Sequence, residues 1–168
     1  EAKAKEVMCQ LMPYVDVCIA NEEDADKVLG IRSAGTDVSA GKLNKSGYID
    51  VAQQISSQYG CEKVAITLRE SISASRNGWS GMLYDHVRKE SCFSRYYDIQ
   101  IVDRVGAGDS FAAGIIYALV HKMDNQQAIE FATAASCLKH TIEGDYNRIS
   151  VEEVNALITS GGNGRVKR

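Results

Sequence analysis

The sequence predicts an α/β fold: a mostly parallel sheet flanked by helices, with an antiparallel meander set into it. Three observations carry that prediction. Helix-like and strand-like segments alternate from residue 4 to residue 68, the order that builds a parallel sheet with covering helices. From Ser71 to Tyr97 the segments shorten and read as strands joined by turns. A glycine-containing turn, Asp103 to Phe111, then joins the β-branched run Ile99-Gln100-Ile101-Val102 to an apolar helix.

Each element has a local reason. Residues 4–12 read as a helix with Val7, Met8, Leu11 and Met12 on one face, and Pro13 stops it. Tyr14 to Ala20 is an almost unbroken apolar run, which suits a strand buried on both faces. Asn21 is a good N-cap for a helix whose first turn carries Glu22, Glu23 and Asp24, and Gly30 ends it. A polar loop over 32–43 leads to a helix from about Asn44 to Tyr59, with Ile49, Ala52, Ile55 and Tyr59 inward and Gly60 as its stop. Lys63 to Leu68 is the next strand.

Ser71–Ser75, Trp79–Tyr84 and Cys92–Tyr97 form the meander. Its turns are expected at Asn77-Gly78 and at His86 to Glu90. Two helices follow the glycine turn, about 109–122 and 125–142. The second is rich in small residues (Ala128, Ala132, Ala134, Ala135, Ser136), which admit a neighbouring element or a flat ligand. Ser150-Val151-Glu152-Glu153 is a capping box opening a last short helix. Residues 161–168, glycine-rich and basic, read as a flexible tail.

Bulk properties narrow the function. The 168 residues are 45% hydrophobic and 24% charged, enough for one domain with a core. A net charge of −3 gives no basic excess to hold nucleic acid. No apolar run is long enough to span a bilayer, and the polar start, Glu1 to Lys5, is unlike a signal peptide. The five cysteines are odd in number and widely spaced, so buried free thiols in a reducing cytoplasm are expected. His86, His121 and His140 form no ligand cluster and read as surface or loop residues.

The glycine turn is where chemistry is expected. A helix start leaves N–H groups without intrahelical partners, and the positive end of the helix dipole favours an anion there, phosphate above all. Asp109 stands at the lip of that site. A P-loop is excluded, because no G-x-x-x-x-G-K-[ST] string exists. A dinucleotide fingerprint fits poorly, because Phe111 stands at the third glycine and a second helix, not a strand, follows. A plain strand-to-helix turn capped by Asp109 remains the structural alternative.

Asp103-x-x-Gly106-Ala107-Gly108-Asp109-x-Phe111-x-x-Gly114 resembles the C-terminal signature of the ribokinase-like (PfkB) family of carbohydrate kinases. Asn21-Glu22-Glu23-Asp24-Ala25 is similar to the family's Asn-x-x-Glu motif, with Asp24 at the Glu position. Thr67-Leu68-Arg69-Glu70-Ser71 stands where the family has a nucleotide-binding strand end, with Arg69 in place of its Gly. From Tyr14 to Val166 the chain most resembles the 2-dehydro-3-deoxygluconate kinases, through that segment, Asn77-Gly78-Trp79-Ser80, Asp103-Arg104-Val105 and Gly144-Asp145-Tyr146-Asn147. The implied fold is a partial three-layer ribokinase-like fold.

The resemblance implies roles. Asp109 would be the base that takes the proton of the sugar hydroxyl as it attacks the γ-phosphate of ATP. Gly106, Ala107 and Gly108 would supply the anion hole, consistent with phosphoryl transfer needing alignment and charge stabilisation. Thr67, Arg69, Ser71 and Ile72 would line the nucleotide, or simply end a strand. Asn21 and Asp24 would organise Mg²⁺ through water, and Asn21 would also cap its helix. Arg104 would meet a sugar carboxylate or serve as a surface cation. Asp145 would contact substrate or be a solvated loop acid.

The implied reaction is ATP-dependent phosphorylation of a sugar acid, 2-dehydro-3-deoxy-D-gluconate to its 6-phosphate, with ATP and Mg²⁺. A fructose- or ribose-type substrate, or a non-catalytic nucleotide-binding or assembly fragment, are the alternatives. Residues 1–160 would be the C-terminal, nucleotide-binding part of such a kinase. The missing part would carry most of the sugar contacts. The chain alone is expected to bind nucleotide weakly and to lack turnover. It is also expected to pair with another copy or with the missing N-terminal segment.

Overall fold

The structure, a computed structural model, describes residues 2–31 and 45–160. The loop read over 32–43, the helix start at Asn44 and the tail 161–168 lie outside these residues. The elements in order are α1 (Ala2–Leu11), a 3₁₀ turn (Met12–Tyr14), β1 (Val17–Asn21), α2 (Glu22–Asp24) continuing as a π-helical turn (Ala25–Leu29), and α3 (Lys45–Tyr59). Then come β2 (Lys63–Ser71), β3 (Arg76–Asp85), β4 (Glu90–Phe93), β5 (Tyr97–Gln100), α4 (Ala107–Val120), α5 (Asn125–Lys139) and α6 (Val151–Thr159). Strand pairing runs β1-β2-β3-β4, with β5 paired to β3, so the sheet is mixed, as the sequence predicts. No helix among the described residues is long and apolar enough to cross a membrane.

The chain divides into two compact units. The first comprises Glu1–Leu68 and Met82–Cys92. Here β1 and β2 pair in parallel, Val17 opposite Lys63 through Asn21 opposite Thr67. Val64, Ala65, Ile66 and Leu68 of β2 are all buried, so both faces of the strand are covered. Lys63 forms an ion pair with Asp85. β1 begins three residues later than the apolar run suggests, because Pro13 favours the 3₁₀ turn that precedes it. α3 turns Tyr48, Val51, Ala52 and Ile55 inward, while Ile49 and Tyr59 are only partly buried, so its inner face is rotated from the expected one. α1 buries no residue: Val7, Met8 and Leu11 remain accessible.

The second unit comprises Arg69–Gly81 and Phe93–Arg168. Its core joins Trp79, Tyr97 and Ile99 of the strands to Phe131, Ala134, Ala135 and Leu138 of α5 and Val154 and Leu157 of α6. The small residues of α5 are buried, and Ala132 admits the neighbouring helix α4. A Cβ on Gly114 of α4 would lie 2.6 Å from the Ala132 Cα. α5 opens on a capping box, Asp124 with Gln127, and α6 on the expected one, Ser150 with Glu153.

The meander departs from expectation: residues 72–75 form a turn, not a strand, and the expected strand over 92–97 is split into β4 and β5 with 94–96 between them. Asn77 and Gly78 are not a turn; they lie inside β3, opposite Ile99 and Asp98 of β5. A Cβ on Gly78 would come within 2.1 Å of the Tyr96 hydroxyl oxygen, so this glycine makes room for a ring across the strand. The turn falls instead at 72–75, closed by Ile72 and Ser73 N–H donating to the Arg76 carbonyl at 3.1 and 2.9 Å. β5 ends at Gln100, so Ile101 and Val102 lie outside the strand. α4 starts at Ala107, two residues before the expected 109, and α5 stops at Lys139, three before the expected 142.

The cysteines are free thiols, four buried and Cys9 partly so. His140 is not a surface residue: it is 3% exposed and packs edge-on against Trp79 with ring centroids 4.6 Å apart.

Candidate active site

In the second unit the site is built on the start of α4. Gly106 is the N-cap, with φ of 76°, a left-handed conformation that a side chain disfavours. No side chain caps the helix. The first helical hydrogen bond runs from Ser110 N–H to the Gly106 carbonyl at 2.9 Å. The N–H groups of Ala107, Gly108 and Asp109 precede it and point out of the helix start. Ala107 N–H reaches back to the Arg104 carbonyl only at 3.4 Å. A Cβ on Gly108 would meet nothing within 4 Å, so this side of the turn is open. Asp109 is exposed in the first turn of α4, where the dipole favours a carboxylate.

The turn is held from behind. Ser136 Oγ of α5 donates to the Ala107 carbonyl at 2.8 Å in a buried position. Asn147 Nδ2 donates to Ser110 Oγ at 3.0 Å. The His140 carbonyl accepts from Val102 and Asp103 N–H at 2.8 and 3.2 Å. Asp103, the first residue of the signature, accepts from Val105 N–H at 3.0 Å and from Gly144 N–H at 2.8 Å. The Val105 and Gly144 N–H bonds hold its carboxyl below the usual carboxylate range, with Arg104 N–H and the Lys139 charge adding to them. Lys139 Nζ donates to the Ile142 and Gly144 carbonyls at 3.2 and 2.7 Å.

The predicted residues fall into separate groups. Gly106 and Asp145 are brought together: a Cβ on Gly106 would lie 2.7 Å from the Asp145 carbonyl oxygen. Arg104 is exposed and Nη2 donates to the Ala74 carbonyl at 2.9 Å, which ties the turn region to the 72–75 turn beside Ile72. Arg69 and Ser71 are exposed at the end of β2, and Ile72 is accessible just beyond it.

In the first unit, Asn21 and Thr67 are paired neighbours on β1 and β2, and Thr67 is half-buried. Asn21 Oδ1 accepts from Glu23 and Asp24 N–H at 2.8 and 2.9 Å, and Asp24 Oδ2 accepts from Asn21 N–H at 3.1 Å. The expected N-cap is therefore a full capping box. Among the described residues no three His, Cys, Asp or Glu side chains gather as a metal cage. Mg²⁺ does not require one, since it keeps several waters and binds through a carboxylate or two plus substrate phosphates. Asn21 Oδ1 and Asp24 Oδ2 are both engaged with backbone N–H groups in the capping box.

Sequence reasoning missed Lys139, Ser136 and Asn147, and gave Asp103 no task. One signal was available for the first two. Ala132, Ser136 and Lys139 recur at helical spacing on a face that is otherwise small and apolar. A lysine there is out of place unless its charge is used.

The description "pfkB family carbohydrate kinase" matches residues 1–151. The crystal structure of 2-dehydro-3-deoxygluconokinase from Thermotoga maritima is 49% identical, with a TM-score of 0.86 over 94% of this chain and 46% of that one. A PfkB family carbohydrate kinase from Listeria grayi is 32% identical, with a TM-score of 0.78 over 94% of this chain and 45% of that one. Among curated proteins, the 2-dehydro-3-deoxygalactonokinase of Haloferax volcanii is 26% identical over 96% of this chain and 43% of its own length. The ribokinase of Haemophilus influenzae is 28% identical over 90% of this chain and 43% of its own length. The chain thus spans less than half the length of these relatives. Its signature, sheet and glycine turn agree with a match over most of its residues: the chain belongs to the pfkB family of carbohydrate kinases.

Proposed function

We propose that the chain carries the ATP side of a kinase that phosphorylates the terminal hydroxyl of 2-dehydro-3-deoxy-D-gluconate, giving the 6-phosphate. One observation carries the reading. The start of α4 presents uncapped N–H groups on an open glycine side, with the Asp109 carboxylate in the same turn. The 49% identity to a 2-dehydro-3-deoxygluconokinase supports the choice of substrate.

In this reading the sugar hydroxyl oxygen attacks the γ-phosphorus and its proton passes to Asp109. The bond to the β-phosphate oxygen breaks and ADP leaves. The N–H groups of Gly106, Ala107 and Gly108 take up charge on the transferring phosphoryl, worth a few kcal/mol per well-placed donor. A base in hydrogen-bond reach adds roughly 10²–10⁴-fold. Thr67, Arg69, Ser71 and Ile72 are assigned to the nucleotide, Asp145 and Arg104 to the sugar acid. Asn21 and Asp24 would hold Mg²⁺ through water, and the ion would supply neutralisation of phosphate charge. The proposed location is the cytoplasm, and the proposed assembly is with a second copy or with the segment that the longer relatives carry.

A second reading, a ribose- or fructose-type substrate, is favoured by the likeness to a ribokinase over 90% of the chain. A coupled ADP-release assay on the whole protein, across 2-dehydro-3-deoxygluconate, ribose and fructose, decides between them. Turnover no better with the sugar acid than with ribose or fructose overturns the substrate assignment.

A further inference from the structure

Lys139 is fully buried, at 0% exposure, at the C-terminal end of α5. An ammonium taken out of water costs several kcal/mol unless its surroundings compensate. Its hydrogen bonds here go to two carbonyl oxygens of one loop, those of Ile142 and Gly144. The same loop is gripped by Asp103, whose Oδ2 accepts from Gly144 N–H at 2.8 Å. Asp103 and Lys139 attract each other electrostatically. The lysine stem also forms part of the floor of the glycine turn, since a Cβ on Gly106 would lie 3.2 Å from Lys139 Cε.

A helix C-terminus welcomes a cation, and that alone would explain a lysine in the last turn of α5. It does not explain full burial, nor a reach onward to the carbonyls at Ile142 and Gly144 instead of to water. Lysines ordinarily keep the ammonium wet while burying the stem. Here the charge itself is buried, behind the turn whose N–H groups face the open side.

We propose that Lys139 is a positioning residue for the phosphate-binding turn. Its ammonium is a tethered cation that pins the 142–144 loop against the turn and holds a fixed positive charge behind the N–H cradle. This rests on the phosphate reading of that turn. The charge favours a polyphosphate over an uncharged ligand, and it acts through the cradle without touching the sugar.

The test is a binding comparison by NMR titration of the whole protein with ATP and with adenosine. Lys139→Met keeps the length and apolar volume of the stem and removes the charge. The expected result is that the preference for ATP over adenosine falls by about tenfold or more, as a buried charge at an intermediate effective dielectric implies. In Lys139→Ala, n-propylammonium replaces the missing atoms and is expected to restore the preference. A preference unchanged in Lys139→Met overturns the role of Lys139 while leaving the phosphate reading intact. No preference for ATP in the unaltered whole protein overturns the phosphate reading, and this inference with it. Should the variants fail to fold, the ¹⁵N-labelled ammonium of Lys139 in the unaltered whole protein gives the answer. Its signal is expected to shift on addition of ATP and not of adenosine, and an equal response to both overturns the proposal.

Discussion

Gly106 and Asp145 touch backbone to loop: a Cβ on Gly106 would lie 2.7 Å from the Asp145 carbonyl oxygen and 2.8 Å from its Oδ1. The glycine turn and the loop after α5 are therefore one structure. Gly106 is required twice, by its φ of 76° and by this contact. Gly108, two residues on, is required by neither, because nothing stands within 4 Å of its Cβ position.

That contrast gives the first prediction. Gly106→Ala is expected to lower stability by about 1–3 kcal/mol, through left-handed strain and the clash with Asp145. Gly108→Ala is expected to leave stability unchanged or raise it by up to about 1 kcal/mol, since alanine is the better helix residue. Under the proposed function its added methyl would nonetheless intrude on the phosphate site and weaken ATP binding. Urea unfolding and ATP titration of both variants check this. Equal stability losses in the two would contradict it.

Packing of α4 on α5 gives the second. Gly114→Ala places a methyl 2.6 Å from the Ala132 Cα, which forces the helices apart. A loss of about 1–3 kcal/mol is expected, despite the better helix propensity of alanine. Thermal unfolding reads it directly. A gain in stability would mean that the helices are not locked at this point.

His140 gives a pH prediction. Burial pushes its pKa below 6.5; Arg104, Lys139 and Arg69 push the same way, against the Ser136 carbonyl. The folded state thus prefers the neutral ring. As pH falls below 6.5 the unfolded chain takes up the proton first. The stabilising contribution is present above pH 6.5 and is lost as pH falls to the folded pKa. The stability difference between wild type and His140→Gln, by urea unfolding, is expected to shrink between pH 7.5 and pH 5.5. A constant difference would contradict the burial argument.

The alternation of helices and strands and the glycine turn were legible because periodicity and turn chemistry are local. Asn77-Gly78 misled because the turn signal of the pair is local, while its cause is the Tyr96 ring packing across the strand. Ile101 and Val102 misled similarly. Their β-branched side chains suit a strand, but their N–H groups are taken by the carbonyls of Ser75 and His140. The front of the candidate site, Gly106 to Asp109, could be read as a string. Its support, Asp103, Ser136, Lys139 and Asn147, comes from positions far apart in sequence. A contact such as Ser136 with Ala107, 29 residues apart, leaves no pattern in a single chain.

The central claim is that Asp109 acts as the base at this turn. Asp109→Asn removes the carboxylate and keeps the shape, and because the side chain is exposed, little change in folding is expected. The decisive measurement is ADP release by the whole protein with ATP and 2-dehydro-3-deoxygluconate, wild type against Asp109→Asn. The account predicts ADP release in the wild type and a fall in kcat of roughly 10²–10⁴-fold in the variant, with ATP affinity little changed. Normal turnover in Asp109→Asn would contradict it.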